Sequence, residues 1–276
     1  MKYKILISLV FVLISFNTYS QNELTLKIQY SSETNYSQTI IQTSENYITY
    51  SGSKEFLQKI KEKGIQNPTV TNSTSTIKSA FKTGKLNNKN FFPLTMEFLN
   101  TTNNDGKKII PDGTIIYGHG TIDNMPKLDS IVSPDLNNDF KKELLQTMQS
   151  TFSQISFPDR KLKIGESFSQ ETPLSLPVLN NTIEMTMLTN YKLISIENNL
   201  GNFEVSQIYT MKSNISNNDI VATGSGKGKI VYDIKNNFFL KYQTDGEIEM
   251  DLKMKEISLK MKSKNTFIQD VIISKK

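Results

Sequence analysis

The stretch Gly224–Met261, GSGKGKIVYDIKNNFFLKYQTDGEIEMDLKMKEISLKM, decides the fold class, because it can be laid out residue by residue as a three-stranded antiparallel meander. A connection centred on Lys255-Glu256 sets Met254 opposite Ile257, Leu252 opposite Leu259 and Met250 opposite Met261. The same register sets Asp251 opposite Lys260, Glu249 opposite Lys262 and Glu247 opposite Lys264. Apolar residues meet on one face and acid meets base on the other, at roughly 0.2–1 kcal/mol per good cross-strand pair. A slip of one residue would send each of these side chains to the wrong face.

The preceding hairpin follows the same logic. Lys235-Asn236-Asn237 suits a three-residue loop, with Asn237 in the left-handed conformation. Ile234 then opposes Phe238, Tyr232 opposes Leu240, Ile230 opposes Tyr242, and Lys227 falls opposite Asp245. Ile230, Tyr232, Leu240, Tyr242, Ile248, Met250 and Leu252 form the dry face of a sheet whose other face is wet, the pattern of an antiparallel sheet covering a core on one side. Gly224, Gly226, Gly228 and Gly246 fall on the dry face. Missing side chains there point to strong curvature or close packing, with a ligand lying against the sheet as the sharper reading.

Outward from the meander, Asn202 to Ser213, Thr182 to Glu197 and Lys161 to Phe168 also read as strands. In the first half, Leu24 to Ile28 alternates as a strand, Thr39 to Tyr50 reads as a pair of short strands, and Thr69 to Phe81 as a hydrated pair. Phe91 to Asn100 is a further strand, with Pro93 at its start or on an edge. Asp105-Gly106 and Asp112-Gly113 mark turns around Ile109-Ile110 and Thr114 to Tyr117. Ser53 to Gly64 reads as a short helix, with Ser53 as its cap. The principal helix lies within Pro134 to Ile155, capped by Ser133 or Asp135, with Phe140, Leu144, Leu145, Met148 and Phe152 as its apolar stripe. The fold expected is mainly β: a curved antiparallel sheet, half-barrel-like, with one principal helix packed against it.

The first twenty residues read as a signal peptide: Lys2 and Lys4, an apolar run from Ile5 to Phe16, and Thr18-x-Ser20 before Gln21. That run is about 12 residues, short of the roughly 20 that span a bilayer. Residues 21–276 are expected to form one β-rich exported domain, or two halves, 21–155 and 156–276. The protein is then periplasmic or extracellular, with no stable membrane span after cleavage. Loss of Lys2 and Lys4 lowers the net charge from +5 to +3, and lysines spread along strands do not point to nucleic acid. With no cysteine in the chain, stability must come from a core.

From Phe157-Pro-Asp-Arg-Lys-Leu-Lys-Ile-Gly-Glu-Ser-Phe168 to Gly226-Lys-Gly-Lys-Ile-Val-Tyr-Asp233, about 120 C-terminal residues resemble a family of exported bacterial β proteins of unknown function. The resemblance implies an envelope location and a β fold, and it supplies no catalytic residue. A fold-level likeness to the half-barrel lipoprotein carriers of the bacterial envelope, which hold acyl chains under a sheet, adds an analogy alone.

Motif by motif, chemistry is sparse. Gly224-Ser-Gly-Lys-Gly-Lys229 imitates a phosphate loop but lacks the motif's first Gly, five residues before Gly226, and has Gly228 where it needs Ser/Thr, and a strand follows it. Asn103, Asp105, Gly106 and Asp112 match part of a calcium loop, whose first Asp is here Thr101. His119, the single histidine, cannot build a zinc cluster without Cys or a second His. Asp123, Asp129 and many serines leave a triad open, but the chain has no Gly-x-Ser-x-Gly elbow. The row Asp245, Glu247, Glu249, Asp251 faces lysines and reads as a salt-bridged surface. Arg160, the one arginine, reads as a turn residue beside Asp159, with a bidentate anion contact as the alternative.

The function expected is non-catalytic binding of an apolar small molecule or lipid, with Tyr232, Tyr242, Met250, Gly226 and Gly228 facing the ligand and no cofactor or metal. The alternatives are a module that binds an envelope protein partner through a sheet edge, and a hydrolase with a site near His119.

Overall fold

In the computed structural model, residues 22–122, 124–154, 157, 161–178, 181–211, 219–254 and 257–275 are described. The signal segment, Asp123, Asp159, Arg160 and the Lys255-Glu256 turn lie outside them. The first half of the chain runs β1 (Glu23–Thr25), β2 (Thr34–Gly52), α1 (Lys54–Glu62), β3 (Thr69–Thr83), β4 (Phe91–Thr102), β5 (Ile115–Thr121), β6 (Lys127–Val132) and α2 (Asn138–Gln154). The second half runs β7 (Lys161–Lys163), β8 (Ser167–Val178), β9 (Asn181–Glu197), β10 (Leu200–Met211), β11 (Asp219–Asp233), β12 (Phe238–Met254) and β13 (Ile257–Lys275).

The fold is mainly β. Eleven strands make one open antiparallel sheet in the order β6-β5-β4-β3-β2-β13-β12-β11-β10-β9-β8, and β1 pairs with β7 apart from it. Two meanders, β2–β6 and β8–β13, therefore share a sheet. They are joined where β13 pairs with β2 from Ile257↔Gly52 to Lys275↔Thr34.

The register read from sequence holds between β12 and β13, where Met254↔Ile257, Leu252↔Leu259, Met250↔Met261, Asp251↔Lys260, Glu249↔Lys262 and Glu247↔Lys264 all pair. Between β11 and β12 it holds at Ile230↔Tyr242 and Lys227↔Asp245, then changes. A bulge leaves Leu240 without a partner on β11, so Tyr232 pairs with Phe239, and Asp233↔Phe238 closes a four-residue loop instead of three. The Asp233 carboxylate accepts from the Asn236 N–H at 2.9 Å and side-chain amide at 2.6 Å, and Asn237 takes φ 51°. An Asx turn thus outcompetes the shorter loop.

Long strands replace several expected short pairs. Thr39–Tyr50 and Thr69–Phe81 each lie within one continuous strand, because β2 and β3 pair with each other over fourteen positions. Pro93 sits near the start of β4, an interior strand. The edge strand β6 was not foreseen.

α1 begins as expected, with the Ser53 side chain accepting from the Phe56 N–H. α2 starts later than expected. Asn137, not Ser133 or Asp135, caps it, accepting from the Phe140 N–H at 2.8 Å, while Ser133 is buried and accepts from the Thr114 hydroxyl at 2.9 Å. Shifting the cap turns Phe140 to solvent, and Leu136 joins Leu144, Leu145, Met148 and Phe152 on the packed side.

Three apolar clusters lie along the sheet. The first joins Tyr36, Phe81, Phe92, Leu94, Ile116 and their neighbours beneath α2. The second joins Leu193, Phe203, Ile230 and Tyr232 beneath β1 and β7, which contribute Leu24 and Leu162. A strap from β1 to β2 ties the two together. Ile28 touches both, and the Tyr30 ring lies 5.0 Å from Tyr36, 5.4 Å from Phe81 and 5.1 Å from Phe238. Burying one such ring contributes about 1.5–3 kcal/mol. The third cluster, Met185, Ile220, Ala222, Ile248, Met250 and Leu252, occupies the far end of the second meander.

The sheet coils at β11. Cα atoms of β10 and β12, second neighbours, come within 8 Å, where flat pairing would hold them about 9.5 Å apart. The inward residues of β11 at this point are Ala222, Gly224, Gly226 and Gly228, so nothing props the neighbouring strands open. Their space is taken from both sides. A Cβ on Gly226 would lie 2.7 Å from Gln207 Oε1, and one on Gly228 would lie 2.6 Å from Thr244 Cγ2.

Candidate functional site

The catalytic alternatives can be checked residue by residue. His119 lies in β5 opposite Pro93, not in a turn. Its Nδ1 is 2.9 Å from an Asp129 carboxylate oxygen, and its ring meets Phe91 edge-on at 5.5 Å. Both partners of this hydrogen-bonded pair are exposed. Among the described residues no serine hydroxyl bonds the imidazole, so the pair has an orienting carboxylate and no nucleophile. Asp123 lies outside the described residues.

Two members of the acidic row, Glu247 and Glu249, are salt-bridged. Lys262 Nζ sits 2.5 Å from Glu247 and 3.2 Å from Glu249. Hydrogen bonds to Glu247 and then Glu249 hold its ammonium above the usual lysine range. Asp245 accepts from the Thr266 hydroxyl at 2.6 Å. Such exposed pairs are screened by solvent and belong to a hydrated surface.

The calcium-like segment is a polar hairpin between β4 and β5. Asn103 Oδ1 accepts from the N–H groups of Asp105 (3.2 Å) and Lys107 (3.0 Å), Gly106 takes φ 70°, and Asp112 pairs with Lys108 at 2.5 Å. Thr101 is fully buried, and its hydroxyl accepts from the Ile110 N–H at 2.7 Å. The side-chain oxygens of Asn103, Asp112 and Thr101 are thus engaged with the hairpin itself. Gly224 to Lys229, the phosphate-loop imitation, is mid-strand in β11.

The five residues expected to face a ligand fall in different parts of the sheet. Tyr232 is fully buried in the second cluster, its hydroxyl donating to Lys27 O at 2.8 Å and accepting from Lys27 N–H at 3.2 Å, with Asn237 Oδ1 at 3.0 Å. Burial pushes that hydroxyl up to about 12. Tyr242 packs on Phe267 at 5.7 Å and Phe239 at 6.3 Å beside the buried Tyr191. Burial first, then Tyr191, raises its pKa. Met250 is buried in the third cluster, paired with Ala222. Since Ala222 and Tyr232 are ten residues apart on one strand, Tyr232 and Met250 are separated by roughly 33 Å. Gly226 and Gly228 lie between them.

The zone between the two apolar ends has its own pattern. One row of residues in direct register, Gln170↔Thr189↔Gln207↔Gly226↔Gly246↔Asn265↔Ser44↔Ser73, crosses eight strands without a single apolar side chain. Gln207 is buried and accepts from the Tyr209 hydroxyl at 3.0 Å. The Thr189 hydroxyl is buried without a well-formed hydrogen bond, beside that of Tyr191. No local pattern reveals this belt, since its members come from eight strands and align only once the full register is known.

Beside the belt, a recess of about 920 Å³ runs across β3, β2, β13, β12 and β11. Glu45, Lys227, Asp245, Glu247 and Lys264 supply its charged groups. They alternate along their strands with belt residues Ser44, Gly226, Gly246 and Asn265, so the recess opens on the wet face with belt backbone as its floor.

Both outer strands are guarded. At β6 the Leu128 N–H donates to Gln149 Oε1 of α2 at 2.8 Å, which removes a donor from the free edge. β8 carries Pro173 and Pro177, and a proline supplies no N–H to an incoming strand.

No protein-family model and no curated protein matches the sequence. Among solved structures, the crystal structure of OpdL from Pseudomonas aeruginosa aligns over 87% of this chain and 99% of its own, at 6% identity and a TM-score of 0.22. That likeness is too low to carry a statement about the chain. Of membrane spans, no helix among the described residues is long and apolar enough to cross a bilayer.

Proposed function

We propose that the chain is an exported, non-catalytic binding protein that holds an apolar ligand, a lipid chain or a small molecule, against the far end of its coiled sheet. The observation that supports this reading is the third apolar cluster. The first cluster lies under α2 and the second under β1 and β7, whereas the third is built from β9 to β13 alone among the described residues. Met185 and Met250 are central to it, and Met211 and Met261 pack at its margin. Unbranched thioether side chains repack around irregular apolar guests at low cost, and a cluster that carries no second layer among the described residues can open without displacing one. The guarded edges count against partner binding by strand addition, and the lone His119–Asp129 pair counts against hydrolysis.

Native mass spectrometry of the purified protein, run beside lipid extraction under denaturing conditions, tests the reading. A co-purifying apolar molecule that is lost on denaturation, and that Met250→Asn diminishes, is the expected result. A clean apo mass from both bacterial and lipid-supplemented preparations would overturn it.

A further inference from the structure

We infer a second binding site, on the wet face: the recess crossing β3 to β11 is a groove for a short, linear, neutral oligosaccharide. Its lining is the argument. No aliphatic or aromatic side chain is among its lining residues, so it lacks the bulky apolar contacts that hold a lipid chain. Three carboxylates, Glu45, Asp245 and Glu247, face two ammonium groups, Lys227 and Lys264, so neither a polyanion nor a polycation is drawn in. The remainder is hydroxyl, amide and glycine backbone, a mixture of donors and acceptors with little net charge. That chemistry matches a chain of hydroxyl groups, each of which both donates and accepts.

Shape supports the same class. The groove spans five strands, about 19 Å from β3 to β11 at ordinary strand spacing, and it runs across the strands. An extended polypeptide adds to a sheet along a free edge, and this groove offers none. One end is shaped by the β4–β5 hairpin, where Asn104 donates to Asn72 O at 2.6 Å and accepts from the Thr74 N–H. Glu45 in the lining accepts from the hydroxyl of Tyr47, two residues along β2, which sets an aromatic residue next to the polar lining, the amphipathic pairing suited to a sugar ring. This site is independent of the apolar cluster on the opposite face, and its failure leaves that reading untouched.

The test is calorimetric titration of the purified full chain with cellotetraose, maltotetraose and chitotetraose, and with a fatty acid as the apolar probe. Saturable binding of at least one tetrasaccharide, with Kd below about 10 mM, is expected. Ser225→Trp, which fills the groove from an exposed wall position, is expected to weaken it at least tenfold, as is Glu247→Gln, the milder change should the tryptophan disturb folding. Fatty-acid binding should be unchanged in both. No heat from any of the three sugars at about 10 mM, or affinity retained in both variants, would overturn the assignment.

Discussion

The glycines of β11 give the most direct test of the coiled sheet. In Gly228→Ala the new Cβ would overlap the Gln243 carbonyl oxygen and stand 2.6 Å from Thr244 Cγ2. The first of these is backbone of the paired strand, since Gly228 faces Thr244 in register, so relief requires β11 and β12 to move apart. Overpacking of this kind costs about 1–3 kcal/mol, against about 0.5–1 kcal/mol gained by replacing glycine within a strand. The net expectation is a loss of about 1 kcal/mol, or roughly 2–4 °C in Tm for a chain of this size. Gly226→Ala should cost less, because its closest contact is the Gln207 side chain, which can rotate if it gives up its bond from Tyr209. Gly246→Ala should be near neutral, its nearest neighbour being the Tyr209 hydroxyl at 3.2 Å. Urea and thermal unfolding followed by circular dichroism would rank the three. A Gly228→Ala protein as stable as the parent, or the reverse ranking, would refute the close approach of β11 to β12.

Tyr232→Phe leaves Lys27 O without its 2.8 Å donor and should cost about 1–3 kcal/mol, read as faster amide exchange at residues 25–29 than in the parent. Gln149→Leu uncovers the Leu128 N–H on β6 and should produce concentration-dependent oligomers in size-exclusion chromatography; a monomer at every concentration would show that α2 is not what guards this edge. In alkali, the tyrosines whose pKa is raised by burial, among them Tyr30, Tyr232 and Tyr242, stay protonated in the folded chain after the unfolded chain has lost its protons. Their contribution is therefore complete below pH 10 and is lost as pH rises toward 12, by up to about 1.4 kcal/mol per pH unit for each tyrosine, and a flat unfolding free energy from pH 9 to 12 would contradict it. His119→Ala should change stability by no more than about 0.5 kcal/mol, because its contact with Asp129 is exposed.

How far the sequence could be read depended on how local the deciding interaction was. The β12–β13 register was legible because charge and apolarity alternate in phase on both strands, so that Glu249 and Lys262, or Met250 and Met261, have one sensible arrangement. The β11–β12 hairpin was legible only as far as Ile230↔Tyr242, since the competition between a three-residue loop and the Asp233 turn is settled by side-chain hydrogen bonds that periodicity does not encode. β2 and β3 were harder still. Thr, Ser and Asn populate their middles because both faces of that region meet water, and a strand without a dry face has no alternation to display. The candidate site belongs to this illegible part. Gly226 was legible as a glycine in a strand, but its meaning comes from Gln207 on one side and Gly246 on the other, and the belt to which it belongs exists only across eight strands. Residues that chemistry usually advertises, His119, Glu247 and Glu249, turned out to be engaged in exposed polar pairs. The unusual chemistry of this sheet, a polar seam dividing two apolar ends, is carried by serine, asparagine, glutamine and glycine, which advertise nothing singly. In a sheet this long, function is to be sought in rows across strands, where the ladder brings side chains to one line, before it is sought in motifs along the chain.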